Sequence, residues 1–392
     1  MNTPQRRALA ALFFLFGFGI IAWVPRFPEV KQNLHLSNGQ FGTLISASAI
    51  GSLISLLTVG HLVHRFGTRK ALTVSATLLF GTISLIVHVT SIWEFLLANI
   101  AMGASISAFH IAVNGQAFHE EASNGENLMP RLHGFWSAGA LVTAIFSGFL
   151  TGRVPLVVHI DVLAVVVYTA MLILLQRLDS TLLSGSKEFD DEYSMRTLFS
   201  SFRIDWIVSV GLTCAIMLEF AMGDWATIFA KEDLHMSAGV STIPYILFVL
   251  AMITGRLTVH RVTVHIGIER LVRLSVITGG VTFIVAVTVG VQVSKSFPTL
   301  GFAIVTFGMF IAGLGASFLA PIFLGAANRR SKAPGSVVLG QLGAVNTIFV
   351  FICKGIIAWT AQLTSIGVAL MIPAAMLIAV AFTTKTLKKS TL

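Results

Sequence analysis

Long apolar runs alternate with short polar breaks along the whole chain of 392 residues. A helix needs about 20 apolar residues to cross a bilayer. Twelve segments qualify: 8–25, 40–63, 71–90, 95–118, 132–152, 156–176, 205–229, 239–259, 270–293, 300–323, 335–359 and 366–383. The pattern predicts an all-α membrane protein with 12 transmembrane helices. The longest break, 177–203, contains LLSGSKEFDDEYS. It predicts two six-helix bundles, 1–176 and 204–392, joined by a cytoplasmic linker.

Composition agrees with this reading. The chain is 55% hydrophobic and 11% charged, against roughly 25% charged in a soluble domain. The net charge of +9 would point to nucleic acid in a soluble protein. Here the charges sit in short loops, where Lys and Arg mark the cytoplasmic side. With both termini cytoplasmic, 20 basic residues fall in inner segments and 5 in outer ones, namely Arg26, Lys31, Arg153, Lys231 and Lys295. Lys354 alone falls inside a span. The apolar run after MNTPQRR continues to Val24 and reads as an uncleaved first helix. Cys214 and Cys353 lie in apolar runs and read as packing residues. Trp23, Trp93, Trp206, Trp225 and Trp359 fall near span ends, where interfacial anchors belong.

The halves echo each other. LHLSNG at 34–39 matches LHMSAG at 234–239, LFGFGIIAW at 15–23 resembles LEFAMGDW at 218–225, and GHLVHR at 60–65 resembles GRLTVHR at 255–261. Three matches in order, offset by near 200 residues, indicate a parallel duplication of the kind transporters use.

GHLVHRFGTRK at 60–70 resembles the loop between helices 2 and 3 of the major facilitator superfamily. Gly60, Arg65, Gly67, Arg69 and Lys70 match that pattern, and His64 stands where the family has an acid. The second-half counterpart of this position reads as His260, followed by Arg261. The family's acid belongs to an inward-side ion-pair lock, so histidine there implies a lock that is weaker, pH-dependent or rebuilt. WVPRFPEV (23–30), NGQAFHEE with LMPRLHGFWSAG (114–139) and EFAMGDW (219–225) resemble the YbjJ-like branch of bacterial inner-membrane facilitators, near the fucose-permease-type sugar permeases. The resemblance implies the major facilitator fold, a monomer, a bacterial inner membrane and a proton-linked carrier for a small solute. It also implies that spans 1 and 7 line the cavity and that spans 3, 6, 9 and 12 are peripheral.

Ionisable groups inside spans are costly and are functional candidates by default. Glu219, well inside span 7, is the expected proton-coupling carboxylate, with a structural acid as the plainer alternative. Asp224 lies five residues on, about 140° around the helix. It is expected to pair with Arg26, beside Trp225, as an outer gate; the alternative is a solvated interfacial acid. His110 and Asn114 share a face of span 4. With Gln116, and with Gln341 and Asn346 in span 11, they are candidate substrate contacts or interhelical hydrogen bonds. Lys354 is expected to meet an anionic ligand or an internal carboxylate, for which Glu219 is a candidate. Arg131 and His133 are expected to meet Glu120 or Glu121 as an inner gate. Asp161 and His159 read as structural.

No HExxH, GxSxG or phosphate-binding loop is present in the sequence, which argues against an enzyme. The expected function is secondary transport of a small polar solute, sugar-like or anionic, by alternating access and proton symport. The expected partners are that solute, protons and membrane lipid, with no cofactor, metal or nucleic acid. Proton-coupled efflux of drugs or metabolites is the alternative, and a non-transporting sensor a minor one.

Overall fold

The computed structural model describes residues 4–124, 128–178, 205–330 and 335–384. Most of the expected linker, 177–203, therefore lies outside the described residues. Every described element is helical. Eleven helices are long and apolar enough to cross a membrane. They run Pro4–Asn33, Asn38–Gly60, Thr68–Ile86, Ile92–Glu121, Met129–Leu150, Leu156–Leu175, Trp206–Glu232, Val240–Ile266, Ile268–Ser294, Pro298–Ala327 and Gln341–Leu363. These are spans 1 to 11 below. The twelfth expected span is shorter and broken, as Ile366–Ala369, Met371–Ala379 and a 3-10 turn at Val380–Phe382. Pro373 accounts for the interruption, because its ring clashes with the carbonyl four residues back, at Ala369.

The chain forms two compact units, residues 1–35 with 44–200 and residues 36–43 with 201–392. In the first unit, spans 1 and 5 approach through glycine. A Cβ on Gly17 would stand 2.2 Å from the Trp136 carbonyl oxygen, and one on Gly139 would stand 2.0 Å from that of Phe14. Spans 2 and 4 cross the same way at Gly51 and Gly103. Small residues at crossings are how membrane helices pack without a hydrophobic driving force. Span 2 breaks at Ala47, between the helices Asn38–Ser46 and Ser48–Phe66. The buried amide of Asn99 on span 4 donates to the carbonyls of Leu44 and Ile45 at 2.6 and 2.9 Å, so the break leaves no backbone oxygen stranded there.

The second unit takes in the start of span 2. Phe41 is buried edge-on to Trp225, with ring centroids 6.3 Å apart. A Cβ on Gly42 would meet that of Ala358 at 2.3 Å. The amide of Gly39 donates to Gln362 at 3.3 Å. Two glycines in LSNGQFG thus let this turn of helix lie against spans 7 and 11.

The duplication appears in the backbone. His35 and His235 are the non-glycine residues with positive φ, at 50° and 54°. Each follows a helix end, as a left-handed residue that stops a helix does. Gly67 and Gly267 also have positive φ, 83° and 73°, and each ends one helix and starts the next. Both pairs are offset by 200 residues. That register corrects one expectation: it sets Val264 opposite His64 and His260 opposite Gly60.

Candidate functional site

In the second unit, span 7 presents its two acids to different neighbours. Their angular separation on the helix is the reason. Asp224 Oδ2 lies 2.8 Å from Lys354 Nζ of span 11, and the two side chains are only 14% and 12% exposed. The ammonium also lies 5.6 Å from the centre of the Phe220 ring, where a cation is attracted to the π face. Glu219 faces span 8 instead. Both its carboxylate oxygens accept from Arg256 Nη2 at 3.3 Å, and Arg256 Nε donates to the Ser317 carbonyl at 2.8 Å. This second pair is more open, at 40% exposure for Glu219 and 31% for Arg256. Buried Tyr245 lies in the electrostatic field of both acids. The cluster holds two acids and two bases, so it is neutral as it stands.

Three expectations change here. Lys354 pairs with Asp224 rather than Glu219. Asp224 does not pair with Arg26, because each has partners inside its own unit. Fully buried Arg26 donates to Glu29 at 2.6 and 2.7 Å, to the Val154 carbonyl at 2.8 Å and toward His159 Nδ1 at 3.2 Å. The i,i+3 spacing of Arg26 and Glu29 was the signal for that pair. Trp225 and Trp23 are buried, at 1% and 4% exposure, rather than interfacial. Sequence reasoning also missed Arg256, counting it as a loop cation, because the helix of span 8 runs on to Ile266.

In the first unit, His110 is exposed on span 4 and stacks on Phe16 at 6.1 Å. His133 of span 5 stands edge-on to it at 6.2 Å and to Phe13 at 5.5 Å. Asn114, one turn from His110, is half-buried, and its Oδ1 has no hydrogen-bond partner. The other amides hold helices together. Gln116 accepts from Thr68 at 2.7 Å, and Asn346 accepts from Thr213 at 2.7 Å while donating to Leu342 at 2.8 Å. Asn346 is therefore occupied by its own helices rather than turned to a ligand. Gln341 is buried on span 11.

The expected inner-gate pairs are rearranged. Glu120 meets Arg6 at 3.1 Å. Glu121 accepts from the backbone amides of Leu128 and Met129 at 2.6 and 2.7 Å, satisfying donors at the start of span 5. Arg131 is exposed, like Arg65, Lys70, His260 and Arg261; Arg69 is half-buried. The side chain of His64 lies outside the described residues. Asp161 is structural in geometry, accepting from Ser84 at 2.6 Å and lying 2.8 Å from His88 Nε2.

A family model described as Major Facilitator Superfamily matches residues 9–353. The chain belongs to the major facilitator superfamily. It is 28% identical over 384 residues to an uncharacterized MFS-type transporter of Yersinia pestis, covering 97% of this chain and 95% of that one. It is 26% identical over 339 residues to the membrane protein MosC of Rhizobium meliloti, covering 86% and 79%. Its fold is similar to that of the nucleoside transporter NupG, with a TM-score of 0.79 at 14% identity, covering 98% of this chain and 100% of that one. The chain is thus a multi-pass membrane transporter of this superfamily, and its family and structural neighbours are transporters rather than enzymes.

Proposed function

We propose that the protein carries a small hydroxylated organic anion together with a proton, by alternating access. The observation that carries this reading is the Asp224–Lys354 pair, tight at 2.8 Å and almost dry. A buried ion pair is tolerated because it is neutral, and breaking it by removing one charge is costly. An anion that takes Lys354 from Asp224 adds one negative charge to the site. A proton on the displaced carboxylate restores neutrality. Charge balance thereby links anion and proton, which is symport.

Glu219 keeps its proposed role as the proton-coupling acid. Its pair with Arg256 is longer and more open, so solvent protons reach it more easily. Asn114, with an acceptor left unpartnered, and His110 are proposed to take hydroxyl groups of the solute. Trp225, buried against Phe41, is proposed to close the outer side in place of the Arg26–Asp224 pair. The excess of basic residues in the assigned inner loops supports cytoplasmic termini in a bacterial inner membrane. The resemblance to sugar-permease relatives and a monomeric state belong to the same reading.

The test is proton uptake on binding. Detergent-purified protein in weak buffer with a pH dye is titrated with hydroxylated monocarboxylates, sugars and nucleosides. The expected result is about one proton taken up per anion bound. Asp224→Asn should bind the anion without proton uptake, and Lys354→Gln should not bind it. Anion binding by the unmodified protein with no proton uptake would defeat the coupling. Binding of neutral sugars alone would defeat the choice of solute.

A further inference from the structure

One buried group is left over by this account. Arg26 is a guanidinium and so carries donors only. Its Nη1 lies 3.2 Å from His159 Nδ1. Nδ1 must therefore be the acceptor, which places the ring proton on Nε2. A doubly protonated ring would set donor against donor at that contact. His159 is 4% exposed, and its Nε2 has no partner. The structure thus holds an N–H donor, fixed in direction by Arg26, Glu29 and the Val154 carbonyl, with nothing to accept from it.

Nε2 belongs to a side chain that lines a cavity of about 380 Å³ between spans 1, 5 and 6. That volume falls within the roughly 300–1,000 Å³ of small-molecule sites. The rest of the lining is apolar, including Phe18, Phe146, Leu150, Val158, Val162 and Val166. Phe146, Val158, Val162 and Val166 are 45 to 61% exposed, so the cavity opens on the apolar outer surface of the spans. Whatever enters does so from the bilayer. Arg153 stands exposed at the same end, its guanidinium 4.6 Å from the centre of the Phe149 ring. Val154, the next residue, lines the cavity.

A cation at the rim, a fixed N–H donor beneath it and an apolar slot below match the parts of one molecule. We propose that a membrane phospholipid binds here, with its phosphate at Arg153, an ester carbonyl accepting from His159 Nε2–H, and an acyl chain in the slot. Charge complementarity and the lipid-facing mouth select it over a soluble amphiphile. The bound lipid would satisfy the stranded donor and brace the buried Arg26–Glu29 pair that joins span 1 to span 6. This site is independent of the proposed solute and proton chemistry.

The decisive comparison is between ester and ether lipid. Full-length protein in detergent is titrated with dioleoyl phosphatidylglycerol, with its dialkyl ether analogue and with inorganic phosphate, and bound lipid is counted by native mass spectrometry. The ester lipid should bind about fivefold more tightly than the ether, the worth of one hydrogen bond. His159→Phe should erase that preference, and Arg153→Gln should weaken both lipids alike. Val162→Trp fills the slot without touching the Arg26 contacts and should abolish binding while the protein stays folded by circular dichroism. It keeps the test open if His159→Phe fails to fold. Equal binding of ester and ether lipid, undiminished binding to Val162→Trp, or displacement of lipid by inorganic phosphate would each overturn the proposal.

Discussion

At the scale of single residues, the account turns on what a buried charge tolerates. Asp224 and Lys354 are both nearly dry and lie in contact. Removing one leaves the other uncompensated, at a cost of about 3–5 kcal/mol. Lys354→Met should therefore lower the thermal midpoint strongly. Adding Asp224→Asn should recover much of the loss, although each substitution alone destabilises. A double-mutant cycle on the midpoints measures this coupling, and additive losses would mean that the pair does not act as a unit. The same cycle on Glu219→Gln and Arg256→Gln should give a smaller coupling, since that pair is longer and more exposed. The presence of buried charge in spans 7 and 11 was legible in the sequence, because an apolar run makes Glu219, Asp224 and Lys354 conspicuous. Their pairing was not. Asp224 and Lys354 are 130 positions apart in the chain, and only the packing of spans 7 and 11 decides which carboxylate the ammonium meets. Arg26 misled for a related reason: its local partner, Glu29, was outweighed by a distant acid at a similar depth.

At the scale of helices, the apolar runs located eleven spans within a few residues, since hydrophobic length alone sets where a bilayer helix fits. The runs do not carry breaks. The kink at Ala47 depends on Asn99 from another helix, and the division of the twelfth segment depends on Pro373. Nor do they carry crossings, which depend on where glycines face a neighbouring backbone. Gly139 is the sharpest of these in the pair of spans 1 and 5, with the Phe14 carbonyl where its Cβ would stand. Gly139→Leu should force the two spans apart, costing about 1–3 kcal/mol or more. Its thermal midpoint should fall well below that of Gly134→Leu, since nothing lies within 4 Å of a Cβ at Gly134. Similar midpoints for the two variants would contradict the crossing.

At the scale of the molecule, the duplication organises the chain. The sequence matches near positions 34 and 234 gave the right offset, and the backbone repeats it at His35 and His235 and again at Gly67 and Gly267. The match of 60–65 to 255–261 slipped by several residues, because apolar runs align in many registers while a glycine with positive φ aligns in one. Family and fold follow from this architecture; cargo does not, and rests on the charges of span 7 and their partners. The central claim is therefore that anion and proton move together. It is tested by reconstituting the protein in liposomes with an internal pH dye and applying hydroxylated monocarboxylates at zero and at imposed membrane potential. The account predicts internal acidification on anion addition, with a rate indifferent to the potential because the pair carries no net charge, and loss of acidification in Glu219→Gln. Uptake of the anion driven by potential with no acidification, or acidification unchanged in Glu219→Gln, would contradict it.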